Sequence, residues 1–249
     1  MSRSPILRAL SSIRKSGART LLMGGQACVF YGAAEFSRDL DLLILSDAGS
    51  LDRLLSALAD LDAAPIAVPA LSARDLDRGH AVHFRCRRAD VAGLRIDLMA
   101  AMRGMPGFGD LWERRTTIEA DGEIVDLLAL EDLVRAKKTQ RDKDWPMIRR
   151  LVERSYFAGD ATEKTVKFWL GELRTPEVLI EAVQKYPQAA RLAAEIRPAA
   201  ACAVTGDLAA TDAALEQEER EERLRDRAWW EPLRRELEQF RRDRLRPKS

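Results

Sequence analysis

Cysteine is scarce in this chain and poorly spaced for bonding. Cys28, Cys86 and Cys202 are odd in number, far apart and without a C-x-x-C pair. That argues against a disulfide framework or a thiolate zinc site, and for a reducing, cytoplasmic compartment. Histidine is scarcer still: only His80 and His83 occur, in no Ser-His-Asp or Cys-His arrangement, and a packing or surface role is expected of both. No stretch approaches the run of about 18 apolar residues that a membrane span needs, so no membrane partner is expected. The opening MSRSPILRALSSIRKSG has no apolar core of the kind a signal peptide carries. One-sided charge is missing too. Lys+Arg 41 against Asp+Glu 40 leaves a net charge of +1, so bulk charge gives no argument for non-specific nucleic-acid binding.

What the chain does have is enough apolar material for a core, 46% of its 249 residues, and a length that suits one large domain or two small ones. Residues 5–16 carry Ile6, Ala9, Leu10 and Ile13 at helical spacing. Thr20 to Met23 reads as a strand, Gln26 to Tyr31 as the first turns of a helix, and Leu40 to Leu45 as a buried strand by its continuous apolar run. Leu51, Leu54, Leu55, Leu58 and Leu61 mark the next helix, with a connection through Pro65 and Pro69. Ala81 to Arg87 and Leu94 to Met99 read as strands, and Met102 to Gly109 as a loop. Asp121-Gly122 reads as a hairpin turn before a strand at Glu123 to Leu127. Helices follow from Leu130 to Lys138 and from Trp145 to Arg154. Beyond about residue 160 strand signals vanish and helical patterns continue, dense in Glu and Arg with acid-first i, i+4 pairs such as Glu216/Arg220. The expected fold is α/β (α+β): a small mixed sheet with flanking helices over residues 1–158, and a helical, charge-rich C-terminal region over 159–249. Trp229, Trp230 and Phe240 are expected to pack against that helical region, and the basic end from Arg241 to Lys248 is expected to be solvated.

The stretch Gly24-Gly25-Gln26-Ala27-Cys28-Val29-Phe30-Tyr31-Gly32, followed by Ser37-Arg38-Asp39-Leu40-Asp41, sets two aspartates at the mouth of an apolar strand. D-x-D also occurs at Asp60/Asp62, Asp75/Asp77 and Asp142/Asp144, but in charged or helix-end surroundings. Strand side chains alternate, so Asp39 and Asp41 share one face while Leu40, Leu42 and Ile44 take the other. Two carboxylates about 7 Å apart repel by roughly 2 kcal/mol at an effective dielectric of 20, which calls for a counter-charge. Magnesium suits an all-oxygen donor set shared with phosphates. Asp97 is a lone acid in the apolar Leu94-Arg95-Ile96-Asp97-Leu98-Met99. If its strand lies beside that of Asp39 and Asp41, three carboxylates converge, enough for two ions. Gly24-Gly25, between strand and helix, lets backbone N–H groups approach an anion closely; a plain tight turn is the other reading.

Together these residues resemble the nucleotidyltransferase superfamily typified by DNA polymerase beta, whose pattern is a strand, G-G or G-S, a short helix, D-x-D opening the next strand, and a third acid on a later strand. The run G-G-x-A-x-x-x-Y-G with S-x-D-x-D is most similar to the minimal bacterial nucleotidyltransferases, which include toxins of the AbiEii type. Leu130-Glu131-Asp132-Leu133, followed by Lys137, Lys138, Arg141 and Asp144, is similar to that group's L-E-D-L-x-x-x-K helix and R-x-K-D segment. The family often places an arginine ahead of its Ser/Thr-x-D-x-D; this chain has Glu35 and Phe36 there, with Arg38 inside the motif.

The resemblance implies two Mg²⁺ ions on Asp39, Asp41 and Asp97, with an NTP as substrate. Gly24, Gly25, Ser37, Arg38, Lys138, Arg141 and Asp144 would line its site, and Lys137 would face the phosphates. It implies transfer of NMP to an acceptor hydroxyl on tRNA, a protein or a small molecule, and a place in a toxin–antitoxin pair with a small antitoxin-like protein partner. A catalytically silent nucleotide-binding or protein-interaction module of the same fold is the alternative, and a helical C-terminal arm for RNA a third.

Overall fold

The structure, a computed structural model, describes residues 4–245. Its contacts divide it into two compact units, one running up to Ala136 and resuming at Trp229, the other Lys137–Ala228. Of the expected basic end, residues 246–248 lie outside the described residues, as do residues 1–3 of the opening segment.

The first unit begins with α1 (Pro5–Lys15), where the Ser4 hydroxyl accepts the Leu7 N–H and Pro5 supplies a fixed φ for the first turn. Its buried face is Leu7, Leu10 and Ile13. β1 (Thr20–Met23) leads directly into α2 (Gly24–Phe30), so the two glycines are the first turn of the helix and not a linker ahead of Gln26. β2 (Asp39–Ile44) follows, then α3 (Ala48–Asp60), capped by the Asp47 carboxylate on the Ser50 N–H. The expected connection beyond it holds a short strand, β3 (Ala63–Pro65), and α4 (Ala73–Arg78). β4 (Val82–Cys86) and β5 (Arg95–Met99) flank a short connection with a 3₁₀ turn at Ala89–Val91. The Gly/Pro-rich loop ends in α5 (Phe108–Glu113). β6 (Thr116–Ala120) and β7 (Glu123–Leu127) pair through Asp121 and Gly122, whose φ of 50° and 74° are the two positive values that a type I′ turn requires. α6 (Leu130–Ala136) closes this part of the unit.

Among the described residues these strands form one seven-stranded mixed sheet in the order β3-β4-β5-β2-β1-β7-β6. The expected fold class therefore holds. β2 is antiparallel to β1 and parallel to β5. Its Leu40, Leu42 and Ile44 are buried completely or nearly so, whereas Asp39 and Asp41 are half-buried. Burying three such side chains stabilises by roughly 1.5–3 kcal/mol each. That fixes the register, because a slip of one residue would drive both acids into the core.

The second unit is helical. It holds α7 (Asp144–Ala158), α8 (Glu163–Glu172), α9 (Pro176–Lys185), α10 (Pro187–Ile196), α11 (Pro198–Thr205) and the first part of α12 (Leu208–Leu245). Pro at the first position of α9, α10 and α11 sets each entry and forfeits only an N–H that lacks a helical partner anyway. The buried Arg197 guanidinium donates to the Leu170 and Leu173 carbonyls at 2.7 and 2.8 Å, which satisfies the end of α8. Among the described residues no helix is long and apolar enough to cross a membrane.

Within the first unit the later part of α12 packs on α4, not on the helical region. Trp229 lies against Gly79, Phe240 meets His80 edge-on at 5.5 Å, and Trp230 sits against Trp229. His80 is fully buried and its Nε2 lies 2.8 Å from the Glu236 carboxylate, which also accepts from Arg78. Hydrogen bonds from Arg78 and then His80 lower the Glu236 pKa from 4.5 to about 2. A depressed carboxyl stabilises the fold above its unfolded pKa, and that stability is lost as pH falls toward the folded value. Glu236→Gln is expected to lower Tm by about 2–4 °C at pH 7, since solvent screens the partly exposed pair. The difference from the parent should shrink below pH 4.5 and vanish near pH 2. A gap that persists unchanged at pH 2 in calorimetry would show that charge is not what Glu236 contributes.

Candidate active site

Strand register alone assembles the acidic face. Asp41 of β2 is the lateral partner of Asp97 on parallel β5, and Asp97 is in turn opposite His83 on β4. On its other side Asp41 faces Met23, the residue that leads into the glycines. One row across four strands therefore reads His83, Asp97, Asp41, Met23. One pleat away, Asp39 is beside Arg95. Neighbouring strands lie about 4.8 Å apart, so the three acids expected to converge do share one small patch of sheet.

Two residues that sequence reasoning passed over complete the patch. Arg95 Nε donates to Asp97 Oδ1 at 2.7 Å, and His83 Nδ1 lies 2.8 Å from the same oxygen. Arg95 Nη2 also reaches His83 Nδ1 at 3.1 Å. Burial pushes the Asp97 carboxyl upward, but His83 and Arg95 outweigh it and hold the group below its ordinary value. The Arg95 guanidinium is itself stabilised, first by its hydrogen bond to Asp97 and then by the charges of Asp97, Asp39 and Asp41, with burial opposing. The signal was present: Arg95 and Asp97 are two apart on a strand and so share a face. His83 needed the β4–β5 register, which sequence does not print.

Gly24 is required twice over. Its φ is +68°, and a Cβ there would fall onto the Asp41 carboxylate. Its neighbour is also tight: a Cβ at Gly25 would lie 2.7 Å from Ser37 Oγ. Ser37 in turn donates weakly to the Asp39 carbonyl at 3.4 Å. Because α2 is only seven residues long, the case for these glycines is steric access and not helix charge. Arg38 lies over the exposed Phe36 ring at 5.9 Å. Gly24→Ala is expected to lose about 1–3 kcal/mol of stability and to displace Asp41. Equal Tm values for variant and parent would contradict the crowding described.

The basic segment forms a cluster of its own in the second unit. Lys137 Nζ donates to Asp144 Oδ1 at 3.1 Å, and both side chains are buried. Asp144 Oδ2 accepts from Thr139 at 2.6 Å and Arg141 at 2.7 Å. Burial raises the Asp144 carboxyl, and Lys137, Thr139 and Arg141 together pull it below its ordinary value. Lys138 binds Glu172 at 2.7 Å.

The other D-x-D copies have structural work. Asp60 accepts from Arg88, Asp75 interacts with Ser72 at the start of α4, and Asp77 with Ser46. A cavity of about 750 Å³ beside α1 and α3 is also set apart from the acids, and its Arg8 and Arg88 are paired with Asp90 and Asp60. Asp39 and Asp41 offer hard oxygen donors, and the bare Gly24 lets the Asp41 carboxylate lie against the start of α2; two such carboxylates suit one divalent cation. Asp97 offers one oxygen already bonded twice. Among the described residues no group of three or more His, Cys, Asp or Glu side chains is arranged around a single ion position.

No protein-family profile matches the chain, and no curated protein matches it. It is similar to a solved structure from H. pylori named as a nucleotidyltransferase, with a TM-score of 0.39 and 13% identity over 86% of this chain and 94% of that one. It is also similar to an antigenic nucleotidyltransferase-like protein from Paracoccidioides brasiliensis, with a TM-score of 0.40 and 18% identity over 76% of this chain and 89% of that one. Likenesses this distant do not bear on the chemistry of the site, which rests on its own residues.

Proposed function

We propose that this protein is a divalent-metal-dependent nucleotidyltransferase that moves NMP from an NTP to an acceptor hydroxyl. The observation that carries the proposal is the placement of Asp39, Asp41 and Asp97 on one face of adjacent parallel strands, with Gly24 held against the Asp41 carboxylate. Asp39 and Asp41 would hold Mg²⁺, which when bound supplies positive charge to the triphosphate oxygens. Gly24 and Gly25 let the Asp41 carboxylate and the Ser37 hydroxyl lie close against the start of α2, and the triphosphate would bind beside those groups. The acceptor oxygen forms a bond to the α-phosphorus, the bond to the β-phosphate oxygen breaks, pyrophosphate leaves, and the acceptor proton passes to solvent. Positioning and charge stabilisation supply most of the catalysis in such transfers. The resemblance gives Lys137 the task of neutralising phosphate charge, and Asp144, itself braced by Arg141, would hold that lysine in place. The acceptor classes within this reading are tRNA, a protein and a small molecule, and a toxin paired with a small antitoxin-like protein belongs to it.

The engagement of Asp97 by Arg95 and His83 favours one other reading, a module that binds nucleotide without turnover. Incubating the full chain with each α-labelled NTP, Mg²⁺ and cell extract separates the two. Transfer of label to a macromolecule or small molecule, with release of pyrophosphate, is the expected result. Calorimetric NTP binding with no labelled product after hours would favour the silent module.

A further inference from the structure

Four exposed cations meet at the turn from α1 into β1. Arg14 and Lys15 end α1, and Arg19 directly precedes β1. Arg53 comes from α3: a Cβ at Gly17, in the turn, would lie 3.3 Å from its Cδ. Among the described residues none of the four makes an ion pair. Arg53 is the least of the influences on Asp47, whose carboxylate is engaged by Ser50. Trp112 of α5 fixes the far side of the strip. Arg19 Cζ lies 5.5 Å from its ring centroid and Arg115 Cζ 4.1 Å. An aromatic face holds a guanidinium through its quadrupole and leaves the positive charge uncancelled, which a carboxylate would not. Arg115 also bonds Asp126, so Arg19 is the guanidinium left to act.

We infer that this strip, Arg14, Lys15, Arg19 and Arg53, is a docking surface for the phosphate backbone of a nucleic-acid strand. It goes beyond the nucleotidyltransferase reading and uses none of its acids. Cations in the last turn suit the negative end of a helix, which accounts for Arg14 and Lys15 taken singly. It does not account for Arg19, outside the helix, or for Arg53, in the second turn of α3. Guanidinium and ammonium groups that meet phosphates release condensed counterions, so cations set along a line suffice for binding. A protein partner is instead held by apolar anchors in pockets, and here the one aromatic ring is already taken up by guanidinium groups. The net charge of +1 does not oppose this, because at physiological salt a phosphate feels charges only within about 8 Å.

Salt dependence reads such contacts directly. The anisotropy of a labelled single-stranded RNA of about 12 nucleotides is followed with the full chain between about 50 and 200 mM KCl. The parent is expected to bind, with an affinity that falls steeply as salt rises. On a single strand each lost phosphate contact lowers the log–log slope by about 0.7. Arg14→Gln/Lys15→Gln/Arg19→Gln should therefore lower it by about 2 and weaken binding at about 50 mM KCl by at least about tenfold. Arg53→Gln, a single change on another helix, should lower the slope by about 0.7, and it decides the matter if the triple variant does not melt cooperatively. Arg241→Gln/Arg242→Gln/Arg244→Gln removes equal charge from the end of α12 and should keep the parent's slope. No RNA binding by the parent at about 50 mM KCl would overturn the inference. So would equal losses from the α12 variant, which would mean that binding follows net charge and not place. Polyglutamate competing as well as unlabelled RNA would point to an acidic protein and overturn it too. Asp41→Asn should bind RNA as the parent does, so none of these failures touches the nucleotidyltransferase reading, which label transfer tests separately.

Discussion

Asp41→Asn is expected to reduce label transfer at least about 10³-fold, because losing a metal-binding carboxylate removes several kcal/mol of charge stabilisation and each 1.36 kcal/mol is tenfold in rate. Asp39→Asn should act alike. Both side chains stand half-buried on the open face, opposite the apolar Leu40, Leu42 and Ile44. Neutralising one acid also removes part of a like-charge repulsion of roughly 2 kcal/mol. That relief is set against the lost attraction to the Arg95 guanidinium, so Tm values close to that of the parent are expected. The combination is what makes the test sharp: a substitution with a small stability change and near-complete loss of activity places the residue in the chemistry. The rival pair Asp75/Asp77 supplies the control. Asp77→Asn removes an acid that interacts only with Ser46 among the contacts described, and transfer should stay within a factor of two or so of the parent. Transfer by Asp41→Asn within tenfold of the parent would remove Asp41 from the mechanism.

The site was legible where two periodicities crossed. Alternation in Asp39-Leu40-Asp41-Leu42 assigned the acids to one face, and the same rule applied to Arg95-Ile96-Asp97 would have placed the arginine beside its acid. The hairpin was legible because Asp121-Gly122 meets a backbone demand few residue pairs can meet. Elements without a periodic apolar signal escaped. α4 buries only Leu76 and depends on the Ser72 cap. β3 is three residues long and exists because β4 pairs with it. α5 hides in a Gly/Pro-rich stretch and is held by Phe108 and Leu111. Long-range partners were out of reach for a different reason. His80 and Glu236 are 156 positions apart, and His83 meets Asp97 only through strand register. Neither can be read from local composition. Among the described residues the last strand ends at Leu127, well before the change of character near residue 160, because that change follows the rise in Glu and Arg and not the end of the sheet.

Asp144→Ala should be among the most destabilising single changes in the helical unit, at about 3–5 kcal/mol. Asp144 is 2% exposed and Lys137 is 7% exposed. Removing the carboxylate strands the Lys137 ammonium in a buried setting and frees Arg141 and Thr139 from the same acceptor. It also removes an acid from the first turn of the fifteen-residue α7, where negative charge is favoured. The reverse change is milder. Lys137→Met leaves Asp144 with Thr139 and Arg141, so a loss of about 1–3 kcal/mol is expected. The double variant Lys137→Met/Asp144→Leu should be more stable than Asp144→Ala alone, because no buried charge then lacks a partner. The pH dependence has a definite sign. Asp144 titrates below its ordinary value in the fold, so its stabilisation is present above the unfolded carboxyl pKa and is lost as pH falls through the folded one. Urea unfolding of the parent and Asp144→Ala should therefore converge on acidification and diverge toward neutrality. If Asp144→Ala proves as stable as Lys137→Met, the lysine is not confined by its partner. An ammonium released at so little cost would not depend on Asp144 for its position, whereas a pair worth several kcal/mol makes Asp144 the group that sets where Lys137 points.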